Sequence, residues 1–169
     1  RAGEACGGLH PAQWEALRFL GRANRFSRTP AALAEYLGST RGTVSQTLIA
    51  LEQKGFVSRR PSGRDKRSID LALTTLGEKA LKDDPIHRLA EDFAKFAPGD
   101  LAVVVQTLRS ALQRQIARNG GRAFGACFSC RHFRKNAGSS VRQPHHCALL
   151  DEPLSATDSE AICVEQEAG

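Results

Sequence analysis

The chain has 169 residues, 41% hydrophobic and 25% charged, with a net charge of +6 and a pI near 9.4. That is length enough for one ordinary domain and an appendage, with apolar residues enough for a core. No apolar run approaches the ~18 residues that cross a bilayer, and no charged-then-apolar leader stands at the start. The expectation is a cytoplasmic chain without a membrane partner, in which thiols stay reduced.

The first segment, "LHPAQWEALRFLGRAN", places Trp14, Leu17, Phe19 and Leu20 at helical spacing, with Pro11 where a first-turn proline belongs. The spacing predicts a helix from about Pro11 to Asn24. "RTPAALAEYLG" repeats the grammar: Thr29 as N-cap, Pro30 at the first helical position, Gly38 as the stop. "STRGTVSQTLIALEQKG" then predicts a third helix, capped by Ser39 or Thr40 and closed by Gly55, with Val44, Leu48 and Leu51 on one face. The tight turn at Leu37-Gly38-Ser39 joins the second and third helices into a helix-turn-helix. "FVSRR" and "SIDLAL" alternate as strands around the turn chemistry of Pro61-Ser62-Gly63. A hairpin with a basic tip, directly after a helix-turn-helix, makes a winged helix. Six basic residues (Lys54, Arg59, Arg60, Arg64, Lys66, Arg67) stand in this region against one acid, Asp65, which is the footprint of phosphate binding.

"LTTLGEKALKDD" predicts a further helix, capped by Thr74 or Thr75 and interrupted at Pro85. Ile86, Leu89, Ala90, Phe93 and Ala97 form one helical stripe, and Leu101, Val104, Val105, Leu108, Leu112 and Ile116 another. These stripes either fold back on the winged helix or pack against a second copy. The second arrangement is favoured, because one winged helix reads only half of a palindrome. After Gly121 periodicity disappears. The predicted organisation is therefore residues 1–80 as a winged helix-turn-helix, 81–120 as C-terminal dimerisation helices, and 121–169 as a loop-rich extension. Such an extension is too small to bury a core unaided and needs a staple. The fold class is mainly α with a small β-hairpin wing and a metal-stapled tail.

This order of elements resembles the MarR family of transcription regulators. The likeness is carried by "LHPAQWEALRFL", "TPAALAEYLGSTRGTVSQTLIALEQKGFVSRR" and above all "GRDKRSIDLALTTLG", and it covers about residues 9–119. The last piece is similar to the family's Asp-x-Arg wing followed by a Leu-Thr-x-x-Gly helix start. The resemblance implies a homodimeric regulator on a pseudo-palindromic, double-stranded DNA operator. It also implies that Asp65 and Arg67 brace the wing and meet the DNA backbone. Two features depart from the family pattern: the short segment before "LHPAQW" and the cysteine-bearing tail.

A recognition helix presents its exposed N-terminal residues to the major groove. With Val44, Leu48 and Leu51 inward, the outward residues are Gly42, Gln46, Ile49 and Gln53, flanked by Arg41, Thr43 and Ser45. Gln46 suits adenine and Arg41 suits guanine, each in bidentate fashion. Gly42 permits close backbone approach, and Ser39 or Thr40 suits a cap or a phosphate. In the wing, Arg64 fits the negative potential of a minor groove, with Lys66 beside it.

Four of the five cysteines lie at or beyond residue 127: Cys127-x2-Cys130, then Cys147 and Cys163. Four thiolates are the ligand set of tetrahedral zinc or of an iron–sulfur cluster. One close pair plus two distant single cysteines favours the cluster, 4Fe–4S or 2Fe–2S, with Zn2+ as the alternative. His132, His145 and His146 are candidate substitute ligands, with His145 and His146 better read as donors to a sulfur. Phe128 and Phe133 are candidates to shield the site, and Cys6 stands alone. A DNA-binding dimer with such a centre reads as a sensor of redox or iron status. A purely structural centre is the other reading. No Gly-rich phosphate loop, carboxylate pair or nucleophile elbow is visible, which sets a cluster-containing DNA-processing enzyme behind the regulator. A winged helix that binds only protein is a third class, which the basic wing argues against.

Overall fold

The computed structural model describes residues 8–63, 67–118 and 124–167. Helix α1 (Pro11–Arg22) starts at Pro11, with the Gln13 side chain accepting from the His10 N–H at 3.0 Å. Its buried face is Trp14, Ala16, Leu17, Phe19 and Leu20. Helix α2 (Pro30–Leu37) is capped by Thr29, whose hydroxyl accepts from the Ala32 N–H at 3.2 Å. It ends at Gly38, whose φ of 58° lies in the left-handed region that glycine tolerates best. Helix α3 (Arg41–Gln53) is capped by Thr40, which settles the choice between Ser39 and Thr40. Val44, Leu48 and Leu51 face inward as the spacing predicts.

Strands β1 (Val57–Pro61) and β2 (Ile69–Leu73) pair antiparallel in the register Val57↔Leu73, Arg59↔Leu71, Pro61↔Ile69. Helix α4 (Thr75–Lys82) is capped by Thr74. Gly77 is required there: a Cβ would lie 2.2 Å from the Phe56 carbonyl oxygen, so the helix can seat on the start of the wing only without a side chain. These elements enclose one core, with Leu17, Phe19, Leu20, Leu33, Leu48, Leu51 and Leu71 almost wholly buried. Each such side chain contributes roughly 1.5–3 kcal/mol by leaving water.

Helices α5 (Pro85–Phe93) and α6 (Pro98–Arg118) bury none of their described side chains. Val103 is 64% exposed, and Leu108 and Leu112 are each 60% exposed. The described side chains of the predicted stripes lie open rather than folded back; that of Ile116 lies outside those described. Arg18 ties this arm to α1: its guanidinium donates to both Asp84 oxygens at 2.7 and 2.8 Å, and Asp84 in turn accepts from the Ile86 N–H at 3.0 Å.

The tail has more regular structure than its turn-rich sequence predicts. Strand β3 (Gly125–Ala126) leads into a 3₁₀ turn at Cys127–Ser129 and pairs with β7 (Ile162–Cys163). Strands β4 (Phe133–Arg134), β5 (His145–Cys147) and β6 (Glu152–Leu154) form a three-stranded antiparallel sheet. Helix α7 (Ala156–Glu160) follows, with Ser155 and Asp158 capping each other. Elements this short escape any periodicity argument. Phe26, Cys127, Leu154 and Cys163 make a second, small core, so the tail's interior includes a residue from the α1–α2 connector. The expected division into three parts is thus crossed by contacts between the first and the last.

Candidate DNA interface and cysteine cavity

On α3, Arg41, Gly42, Thr43, Ser45, Gln46 and Gln53 are exposed on the side opposite the core. Ile49, read as outward, is half-buried, because it sits on the flank next to the buried Leu48. Ser39 is half-buried. Thr40 is exposed, with its hydroxyl 2.9 Å from that of Thr43 and accepting the Thr43 N–H.

The basic stripe is narrower than its count suggests. Lys54 turns back and donates to the Gly8 carbonyl at 2.8 Å and to Gln13 Oε1 at 3.2 Å. Arg59 is clamped on Glu52, and its guanidinium holds that carboxylate below the usual range. Arg60 and Arg67 are exposed. Arg64, Asp65 and Lys66, at the wing tip, lie outside the described residues, as does Cys6.

Cys127, Cys130, Cys147 and Cys163 line one small cavity of ≈ 10 Å³, closed by Phe133 and Leu154. Strand pairing brings them there: β7 carries Cys163 alongside Gly125, two residues before Cys127, and β5 sets Cys147 opposite Phe133. Cys127 and Cys163 are buried, Cys130 and Cys147 half-buried, and all four are free thiols. As they stand, no three Cys, His, Asp or Glu side chains among the described residues are gathered tightly enough to grip one metal ion. Four sulfurs converge on one enclosed space, and His132, which also lines it, has a buried Nε2 with no hydrogen-bond partner.

The buried pair is electrostatically unequal. Cys163 is lowered to about 6, chiefly because it accepts a hydrogen bond from the Cys127 thiol, with further help from Asn24, the Glu165 backbone and Ser27. Cys127 is pushed up, as the donor of that bond and through burial.

The donors to sulfur are not the ones the sequence suggested. His145 Nδ1 accepts from the Asn136 N–H at 3.1 Å and its ring lies against Phe133; His146 Nε2 sits 3.3 Å from Asp151. Instead Asn24 Nδ2 donates to Cys127 Sγ at 3.3 Å, and the Glu167 N–H to Cys130 Sγ at 3.5 Å. Phe128, expected to shield the site, is 61% exposed, whereas Phe133 does pack beside it. Asn24 escaped the sequence reading because its partner is 103 residues away. Its only local signal is that of a turn-forming asparagine after a helix.

Three helices followed by a two-stranded hairpin, with the third helix exposed along its N-terminal half, define a winged helix-turn-helix. Residues 7–68 match the MarR family model (MarR_2), so this part of the chain is similar to that family. The chain is 36% identical over 75 residues to the HTH-type transcriptional repressor YetL of Bacillus subtilis (strain 168), a match covering 44% of this chain and 45% of that one. The chain thus spans less than half the length of that relative. Among solved structures, a MarR transcriptional regulator from Methanosarcina mazei Go1 shares the fold, with a TM-score of 0.53 at 23% identity over 65% of this chain and 80% of that one. S. aureus MepR bound to ethidium bromide does so with a TM-score of 0.50 at 21% identity, over 68% and 84%. Among the described residues no helix is long and apolar enough to cross a membrane.

Proposed function

We propose that the chain is a homodimeric, MarR-type transcriptional regulator that binds a pseudo-palindromic operator in double-stranded DNA. The observation that carries this is the face of α3: Arg41, Gly42, Thr43, Ser45 and Gln46 stand exposed on a helix held rigidly by three buried apolar residues. A helix so presented fits the major groove, and Arg41 and Gln46 carry the side chains that read guanine and adenine edges. The exposed Arg60 and Arg67 of the wing add phosphate attraction, and Arg64, Asp65 and Lys66 are proposed to complete the wing's contact. The open apolar faces of α5 and α6 support dimerisation, because a monomer exposing this much leucine and valine on one arm would associate. The likeness to a transcriptional repressor over the same segment supports the reading.

The tail is proposed to hold a metal centre on Cys127, Cys130, Cys147 and Cys163 that modulates operator affinity. An iron–sulfur cluster suits the all-thiolate set, and structural Zn2+ is the second reading, favoured by how small the cavity is. When bound, the centre would supply a redox-sensitive or metal-dependent tie between the strands that carry the sulfurs. The chain's own contribution is to bury Cys127 and Cys163, to favour ionisation of Cys163 over Cys127 through the hydrogen bonds that Cys163 accepts, and to close the space with Phe133 and Leu154.

Anaerobic purification followed by iron, sulfide and zinc analysis and visible absorption tests the centre. Selection of binding sites from random duplexes tests DNA recognition. A palindromic consensus bound with a steep salt dependence is expected. No enrichment over random sequence refutes the regulator reading, and metal-free protein refutes the centre.

A further inference from the structure

The tail is seated on the stretch that joins α1 to α2. We infer that this connector, Ala23–Arg28, is the link by which the cysteine centre acts on the DNA-binding unit, with Asn24 as the positioning residue that joins them. The inference rests on the metal centre proposed above.

Asn24 is 2% exposed, and every polar atom of it is engaged. Its Nδ2 donates to Cys127 Sγ at 3.3 Å, and its backbone N–H to the Ile162 carbonyl, next to Cys163, at 2.8 Å. Its Oδ1 accepts from the Phe26 and Ser27 N–H groups at 3.1 and 2.9 Å, which shapes the connector. Ser27, fully buried, accepts the Val164 N–H on its hydroxyl at 2.9 Å. One end of the connector thus grips the backbone on either side of Cys163 and the sulfur of Cys127.

The other end grips the reading head. The Arg28 carbonyl accepts from the Leu71 N–H at 2.7 Å, so it holds β2 of the wing, and the next residue, Thr29, caps α2. A short path therefore runs from Cys127 Sγ by hydrogen bonds through Asn24 to Ser27, by the peptide link to Arg28, and by a further hydrogen bond to the wing. Among the described residues, no side chain of α6 is buried against the tail. When a metal charges and gathers the sulfurs, the N–H···S bond shortens or turns, and the connector must follow, because a buried amide has no water to fall back on.

Asn24→Asp is the decisive variant. It keeps the Oδ1 acceptor that shapes the connector and replaces the donor to sulfur with a carboxylate oxygen, which also sets a negative charge beside Cys127; the neutral Ser27→Ala separates the two effects. Ser27→Ala is the second, a small change that removes the hydroxyl receiving Val164. Each is prepared as the whole chain, metal-loaded and stripped by chelator. Affinity is measured for the palindromic duplex recovered by selection, and amide exchange is followed at Leu71. In the wild type, loading is expected to change duplex affinity at least ~5-fold and Leu71 exchange with it. In Asn24→Asp, metal retention against chelator falls ~10–100-fold, and at full loading the loaded and stripped forms bind the duplex within about two-fold of each other. Should both variants, fully loaded, keep the wild-type ratio and the wild-type Leu71 response, the connector is not the link while the metal centre stands. Should the wild type itself take up no metal, or show no change on loading, the centre or its regulatory role fails, and this inference with it.

Discussion

Replacing Asp84 with alanine is expected to loosen the joint between the winged helix and the arm formed by α5 and α6. The Asp84 side chain is 1% exposed and accepts two bonds from the Arg18 guanidinium, at 2.7 and 2.8 Å. It also caps α5 through the Ile86 N–H. A buried charge-assisted bond contributes ~1.5–3 kcal/mol and a helix cap ~1 kcal/mol. Arg18 is 25% exposed, so water takes back part of its loss. The net cost is about 3 kcal/mol, or roughly 6–12 °C in Tm for a chain of this size. The guanidinium holds the Asp84 carboxyl below the ordinary carboxylate range, against the opposing effect of burial. A folded value below the unfolded one means stabilisation that is complete above the unfolded carboxyl's ~3.9 and is lost as pH falls through the folded value. Urea denaturation at fixed protein concentration should therefore show the full deficit at neutral pH and a closing gap below about pH 4. Glu15→Ala, which touches the same arginine from a 47% exposed position, should cost under ~0.5 kcal/mol. A deficit for Asp84→Ala no larger than that of Glu15→Ala, or one that persists unchanged into acid, would show that the pair does not brace the joint.

Gln46→Ala should lose ~1–3 kcal/mol of discrimination at one base position with little change on random duplex; equal losses on both would remove Gln46 from base reading. Leu108→Glu, on the open face of α6, should shift sedimentation from dimer to monomer and abolish tight binding to a full palindrome, while an unchanged dimer would move the interface elsewhere. Cys147→Ala should strip the metal, checked by elemental analysis, and leave the tail quickly cut by protease; retained metal would mean that Cys147 is not a ligand.

The winged helix was legible because its signals are local. Pro11, Thr29-Pro30 and Gly38 mark helix ends through the chemistry of one or two residues, and Val44, Leu48 and Leu51 repeat at the helical period over about two turns. The hairpin register follows once Ile69, Leu71 and Leu73 are assigned to one face. The charge reading was weaker, since a count of cations does not reveal that Lys54 and Arg59 are already engaged inside the fold. The four cysteines were legible as a set, through spacing and thiol chemistry. Their surroundings were not. Strands of two or three residues carry no period, and the side chain that meets Cys127 comes from the other end of the chain.

That distance in sequence changes what the tail can be. An extension with its own core could be removed or loosened without consequence for the rest. This one completes its small core with Phe26 and its sulfur environment with Asn24, both from the connector that positions α2. Arg25, between them, lies over the Phe26 ring and holds Asp158 at 2.7 Å and the Pro153 carbonyl at 2.6 Å. Three successive residues of one turn thus face the tail, while Arg28 faces the wing. A metal bound to the tail, as proposed above, would contribute folding energy to a surface that includes the connector, and the state of the sulfurs would then bear on residues that also hold the wing and cap α2. A centre placed there is badly sited for a mere staple and well sited for control of the helix that follows.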